Sequence, residues 1–168
     1  MKNTFFGKTF YALLIPALII LSSANVADKA NFSGNWKLDE SKSDLGDFGG
    51  FAARTIKAEQ KADAITIAST IPGFNGGDPV TTTVSLSYDG KVTESEGFAG
   101  SKRKSTAKWS EDGLTLTISN TISFERDGQT NEFKSTETWT ITKDGLLSVI
   151  TNSSSPMGER TTKAIYSK

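Results

Sequence analysis

Two charged residues stand where the chain otherwise places apolar ones. Glu137 shares its parity with Phe133, Ser135, Trp139 and Ile141, and Arg103 shares its parity with Ser105, Ala107 and Trp109. In extended segments side chains alternate between faces, so both charges are expected on the apolar face beside an indole. Buried charges of opposite sign are tolerable only when paired or hydrated. Arg103 and Glu137 are therefore expected to share one interior space, where with Trp109 and Trp139 they could orient the polar group of a small ligand. The plainer alternative is that the two charges lie near a wet end or simply pair, and that both indoles fill a core.

Few other chemistries are open. The 168 residues include no His and no Cys. That removes the commonest general base, the commonest metal ligand, thiolate metal sites and disulfides. No nucleophile elbow, phosphate-binding Gly loop or metal-ligand cluster occurs. Several carboxylates are present, but none stands in a recognisable catalytic motif. The expected function is non-enzymatic, with no catalytic residue, no metal and no cofactor.

Residues 1–24 have the features of a secretory signal. Lys2 and Lys8 precede a 12-residue apolar run over 10–21, and Ser22-Ser23-Ala24 offers small residues for cleavage after Ala24. The rival, an uncleaved anchor, is opposed by length, since a span needs ~20 apolar residues. The mature chain would be 25–168, without a membrane span, secreted or periplasmic. The leader carries two Lys and no acid, so 17 basic residues face 19 acidic ones, a net charge of −2. No basic excess exists to hold a nucleic-acid backbone. Oligomeric state is not legible.

The elements that must position Arg103 and Glu137 are strands. Runs at 32–38, 54–61, 64–71, 80–88, 91–96, 101–109, 114–124, 131–142, 146–153 and 158–167 alternate or are Thr-rich. Four Asp-Gly dipeptides, at 89–90, 112–113, 127–128 and 144–145, separate them. Asp-Gly between alternating runs is a hairpin signal, because a type I′ turn needs positive φ at both central residues. Two hairpins echo each other: Ser105-Thr106-Ala107-Lys108-Trp109 before Asp112-Gly113-Leu114, and Ser135-Thr136-Glu137-Thr138-Trp139 before Asp144-Gly145-Leu146. Tight sequential connections favour an up-and-down barrel over a sandwich, whose Greek keys need long crossovers. The fold class is all-β, one antiparallel up-and-down barrel of about eight to ten strands in a single domain. Lys102, Lys104 and Lys108 form an outward stripe. Residues 39–51 are polar and Gly-rich, with room for one helical turn capped by Asp39 or Ser41. Their apolar residues Leu45, Phe48 and Phe51, with Phe74 of the 72–79 loop, are either a rim plug or a lid over a cavity mouth.

Phe32-x-Gly34-x-Trp36-Lys37-Leu38 resembles the opening strand of the fatty-acid-binding proteins and, through Gly-x-Trp, of lipocalins. Tyr166-Ser167-Lys168 resembles the end of the last strand of the former. The chain from 31 to 168 is most similar to secreted bacterial lipocalin-like domains of the calycin superfamily. The resemblance implies a barrel closed near Gly34 and Trp36, with an internal cavity for a small hydrophobic or amphipathic molecule, and adds Tyr166 to the ligand-binding candidates. It also implies a basic residue of the last strand over the Trp36 indole, either Arg160 or Lys163. Two features differ from the fatty-acid-binding proteins. Residues 39–53 are too short for their helix-turn-helix lid, and Ala164 stands where their carboxylate-binding Arg would be. The alternative function is an interaction module with a filled core, acting through the loops at 39–53 and 72–79.

Overall fold

The computed structural model describes residues 29–46, 52–73, 76–97, 100–126, 128–155 and 158–168. Residues 1–28, where a signal segment is expected, and Phe48, Phe51 and Phe74 lie outside the described residues. Ten strands follow in order: β1 (Gly34–Leu38), β2 (Thr55–Gln60), β3 (Ala64–Ile71), β4 (Val80–Ser87), β5 (Thr93–Glu96), β6 (Lys102–Trp109), β7 (Thr115–Arg126), β8 (Gln129–Ile141), β9 (Leu147–Ser155) and β10 (Gly158–Ser167). Every pairing is antiparallel, in the order β4-β3-β2-β1-β10-β9-β8-β7-β6-β5. This is the expected meander, curled into a nearly closed barrel. β4 and β5 are not paired; the Thr93 hydroxyl donates to the Ser85 carbonyl across the gap at 3.3 Å.

The Asp-Gly turns work as their chemistry suggests. Gly90, Gly113, Gly128 and Gly145 all have positive φ, and Asp89 and Asp112 each accept the backbone N–H two residues on. Along β6, Lys102, Lys104 and Lys108 are exposed on the outer face. Leu114 and Phe124 share the parity of the inward Leu116 and Ile118 of β7 but are exposed. Leu114 is 54% exposed because it belongs to the turn, and Phe124 is 43% exposed where β7 runs on past the end of its pairing with β6.

The seam between β1 and β10 has only two paired positions, Lys37 with Ser167 and Leu38 with Tyr166. The following segment extends it. Asp39 caps a single 3-10 turn, Glu40–Lys42. Its N–H donates to the Ile165 carbonyl at 2.8 Å, and Asp44 and Lys163 exchange backbone hydrogen bonds. The Ser43 hydroxyl accepts the Ile165 N–H at 2.9 Å.

Residues 29–33 are not strand. They cross one end of the barrel as a strap. Ala30 N–H donates to the Gly113 carbonyl at 2.9 Å. Gln60 fixes the strap twice, its side chain accepting from Phe32 N–H at 2.9 Å and donating to the Ala30 carbonyl at 3.0 Å. Phe32, fully buried, is thereby driven into the barrel end, where it stacks on Trp109 at 5.4 Å and meets Trp139 edge-on at 5.9 Å. Gly34, at φ +143°, turns the strap into β1; a Cβ there would lie 3.0 Å from Lys168 Cε and 3.7 Å from Trp36 Nε1. Trp36 is 2% exposed and its N–H donates to the Phe32 carbonyl at 2.8 Å.

The base on the Trp36 ring is neither Arg160 nor Lys163. It is Lys168, whose Nζ lies 5.0 Å from the ring centroid. Register explains the correction. Pairing Lys37 with Ser167 sets the residue after β10 beside Trp36. Lys163 sits five residues earlier on the outer face, bridged to Asp44, and Arg160 lies near the far end of β10.

Candidate functional site

Along each long strand the inward side chains change from buried to half-exposed at one level. On β7, Leu116, Ile118 and Asn120 are 0%, 2% and 4% exposed, and Ile122 is half-buried. On β3, Ile65 and Ile67 are buried, whereas Ser69 and Ile71 are half-buried. On β9, Leu147 and Val149 are buried, whereas Thr151 and Ser153 are not. Read backwards from its end, β10 repeats this: Tyr166 and Ala164, then Thr162 and Arg160. The strap end is therefore packed solid, and the opposite end is a cup that water reaches.

Arg103 and Glu137 sit at the level where the packing stops, both about a quarter exposed. Asn120 of β7, between them, links them. Its carbonyl oxygen accepts Arg103 Nε–H at 3.1 Å, Arg103 Nη2–H at 2.9 Å and the Ser105 hydroxyl at 2.7 Å. Its amide donates to Glu137 Oε1 at 3.0 Å. Glu137 Oε2 accepts Trp139 Nε1–H at 2.9 Å. Arg103 Nη2 stands 3.7 Å from Glu137 Oε1, a looser ion pair. Register sets this geometry: Ser105 pairs with Asn120, Asn120 with Ser135, and Glu137 follows two residues on, on the same face. Tyr166 lies in the packed end, level with Leu147 and Ile141, within reach of the Glu137 charge. Burial raises its hydroxyl well above the usual phenol range, with the Glu137 charge adding to the shift and Arg54 opposing it. It is thus a neutral hydroxyl at neutral pH.

A partly open space of about 30 Å³ adjoins the network, lined by Ile67, Thr82, Val84, Arg103, Glu137 and Trp139 among others. A larger hollow of about 450 Å³ lies against 134–136 of β8, 152–154 of β9 and 159–161 of β10, and takes in the inward-facing Ser135, Ser153 and Arg160. Its lining residues are Ser, Thr, Asn, Lys, Glu and Arg, without an aliphatic or aromatic side chain. The cup combines apolar walls with a polar floor and is the stronger candidate.

The structure thus brings together Arg103, Glu137 and Trp139, with Tyr166 within reach of the Glu137 charge. Trp109 is separate. It lies in the aromatic layer at the packed end with Phe32 and Tyr88, under Lys29, whose Nζ is 5.4 Å from the Trp109 ring and 5.3 Å from the Tyr88 ring. The Trp109 N–H and Tyr88 hydroxyl are buried without a hydrogen-bond partner among the described residues. Gly34 and Trp36 close the same end. Leu45, half-buried, packs against the core cluster. Sequence reasoning missed Asn120 and Ser105, although Asn120 has the same parity as Ile118 and Ile122 and could have been found as a third inward polar residue. Among the described residues no acidic cluster could hold a metal ion.

No protein-family model matches this chain, and no curated protein matches it. Two chains of solved structures do. One is a zebrafish ileal bile acid-binding protein complexed with cholic acid, 19% identical, with a TM-score of 0.48 over 82% of this chain and 98% of that one.

Proposed function

We propose that the protein is a secreted or periplasmic, non-enzymatic binding protein that holds one small amphipathic molecule in the cup. The apolar part would lie against Ile67, Val84 and Ile122, and the polar part on the Arg103–Asn120–Glu137 floor. One observation carries this reading: inward side chains change from buried to half-exposed at the level of a hydrogen-bonded charge network. Burying such charges is costly unless they are paired and solvated, and a floor of this kind below a water-filled cup gives a ligand both a wall and an anchor. Because the strap end is filled, only the open half of the barrel is available.

The neutral fluorophore N-phenyl-1-naphthylamine tests this. Its emission should rise saturably at one molecule per chain. Thr82→Trp, which fills the cup from β4, should abolish the response while far-ultraviolet circular dichroism stays that of the parent. A non-saturable response, or one that survives Thr82→Trp, would remove the cup and favour an interaction module acting through the loops. Export has its own check. Exported protein should begin at Asn25, and a mature form that retains 10–21 would overturn the extracytoplasmic address.

A further inference from the structure

The floor network also bears on what kind of polar group the cup accepts, an inference that rests on the binding reading above. Both Glu137 oxygens already accept N–H donors, from Asn120 and Trp139. Asn120 is used at both ends, and its oxygen takes three donors. Arg103 spends Nε and Nη2 on Asn120, which leaves the two hydrogens of Nη1 without a partner among the described residues. The floor therefore offers donors. It offers no unbalanced positive charge, because the carboxylate that neutralises Arg103 is 3.7 Å away.

The other cations lie away from the Arg103 guanidinium, although Arg160 also faces the cup. Arg54 is ion-paired with Glu40. Arg160 pairs in register with Ser153, which pairs with Ser135, which pairs with Asn120. That sets Arg160 on the wall of the cup three strands from Asn120, about 14 Å along the sheet at the usual strand spacing. Lys102, Lys104 and Lys108 are on the outer face. Tyr166, held neutral, adds no charge.

We infer that the cup takes an uncharged apolar molecule that presents a single carbonyl or hydroxyl oxygen to Arg103, as in a ketone, an ester or an alcohol, and discriminates against carboxylates. A ligand carboxylate would share one guanidinium with Glu137 at a partly desolvated site, where two like charges disfavour each other's ionised form. A neutral oxygen accepts the spare N–H groups without that penalty. Size agrees: the partly open space beside Arg103, Glu137 and Trp139 is about 30 Å³, room for one or two water-sized groups.

The experiment is competition for bound N-phenyl-1-naphthylamine by methyl laurate, dodecanol and laurate at pH 7.5, below their aggregation limits, with the chain from Asn25 to Lys168. Methyl laurate and dodecanol should each displace the probe at least about tenfold more tightly than laurate, as expected when one unfavourable charge contact is added. E137Q should shrink that ratio to below about threefold, since the repelling charge is gone. If E137Q does not fold, the parent chain serves. Laurate should tighten as pH falls through its own carboxyl range while methyl laurate stays level. Laurate binding as tightly as its ester, a ratio unmoved in E137Q, or laurate affinity independent of pH would overturn the inference and leave the cup intact. Displacement by none of the three, with the probe itself unbound, would overturn the cup.

Discussion

Trp36→Ala should destabilise the fold by about 3–5 kcal/mol, the usual loss for truncating a buried aromatic. Three losses add up at this position. The indole is 2% exposed, so its removal leaves a hole at the packed end. Its N–H donates to the Phe32 carbonyl at 2.8 Å, so the strap loses a buried tether. Lys168 loses the ring it lies over. Urea unfolding should show the shift as a lower midpoint with little change in slope. Trp36→Phe should fall between the parent and Trp36→Ala, because it restores part of the volume but not the donor. A Trp36→Ala midpoint within about 1 kcal/mol of the parent would mean that the strap end does not depend on this ring.

Asn120→Leu is expected to cost about 2–3 kcal/mol even though leucine keeps the branched shape and the number of heavy atoms. Asn120 is 4% exposed and accepts three donors while donating to Glu137. Leucine would strand those groups, and each buried polar group left unsatisfied costs about 1–3 kcal/mol. Water that reaches Arg103 and Glu137, each about a quarter exposed, repairs part of that loss. A double-mutant cycle with Arg103→Met sharpens the test. Both Arg103 hydrogen bonds in the network end on the Asn120 oxygen, so the coupling should be about 1–2 kcal/mol, within the range for contacting residues. An additive cycle would show that Arg103 and Asn120 stabilise the barrel independently.

The two variants address opposite ends of the barrel and differ in kind. Trp36 lies in a layer with Phe32, Trp109 and Trp139 whose purpose is to exclude water, and that layer should tolerate hydrophobic exchange better than truncation. Asn120 lies at the boundary where exclusion stops. There the sheet carries charges on its inner face, and hydrogen-bond geometry rather than volume decides the outcome.

Strand positions, to within about two residues at each end, and turn sites followed from local chemistry alone. Alternation has a period of two whatever the partner strand, and Asp-Gly favours positive φ whatever surrounds it, so ten strands and their tight turns were legible one segment at a time. Parity likewise placed Glu137 and Arg103 on the inner face, because β6 and β8 carry no bulge between those residues and their indoles. What depended on register across strands could not be read in this way. That Asn120 links the two charges, that Lys168 rather than Arg160 or Lys163 covers Trp36, and that Trp109 belongs to the packed end all follow from which residue lies opposite which. Pairing of residues far apart in the chain is a property of the closed sheet. Phe32 shows the same limit in a single side chain. Its parity matched a strand, yet Gln60 and the Gly113 carbonyl hold residues 29–33 across the barrel end, and a hydrogen bond from a side chain 28 residues away leaves no local signature. The depth of the cup is also a tertiary quantity, since it is set by how many inward side chains meet at each level, and only the assembled barrel brings them together.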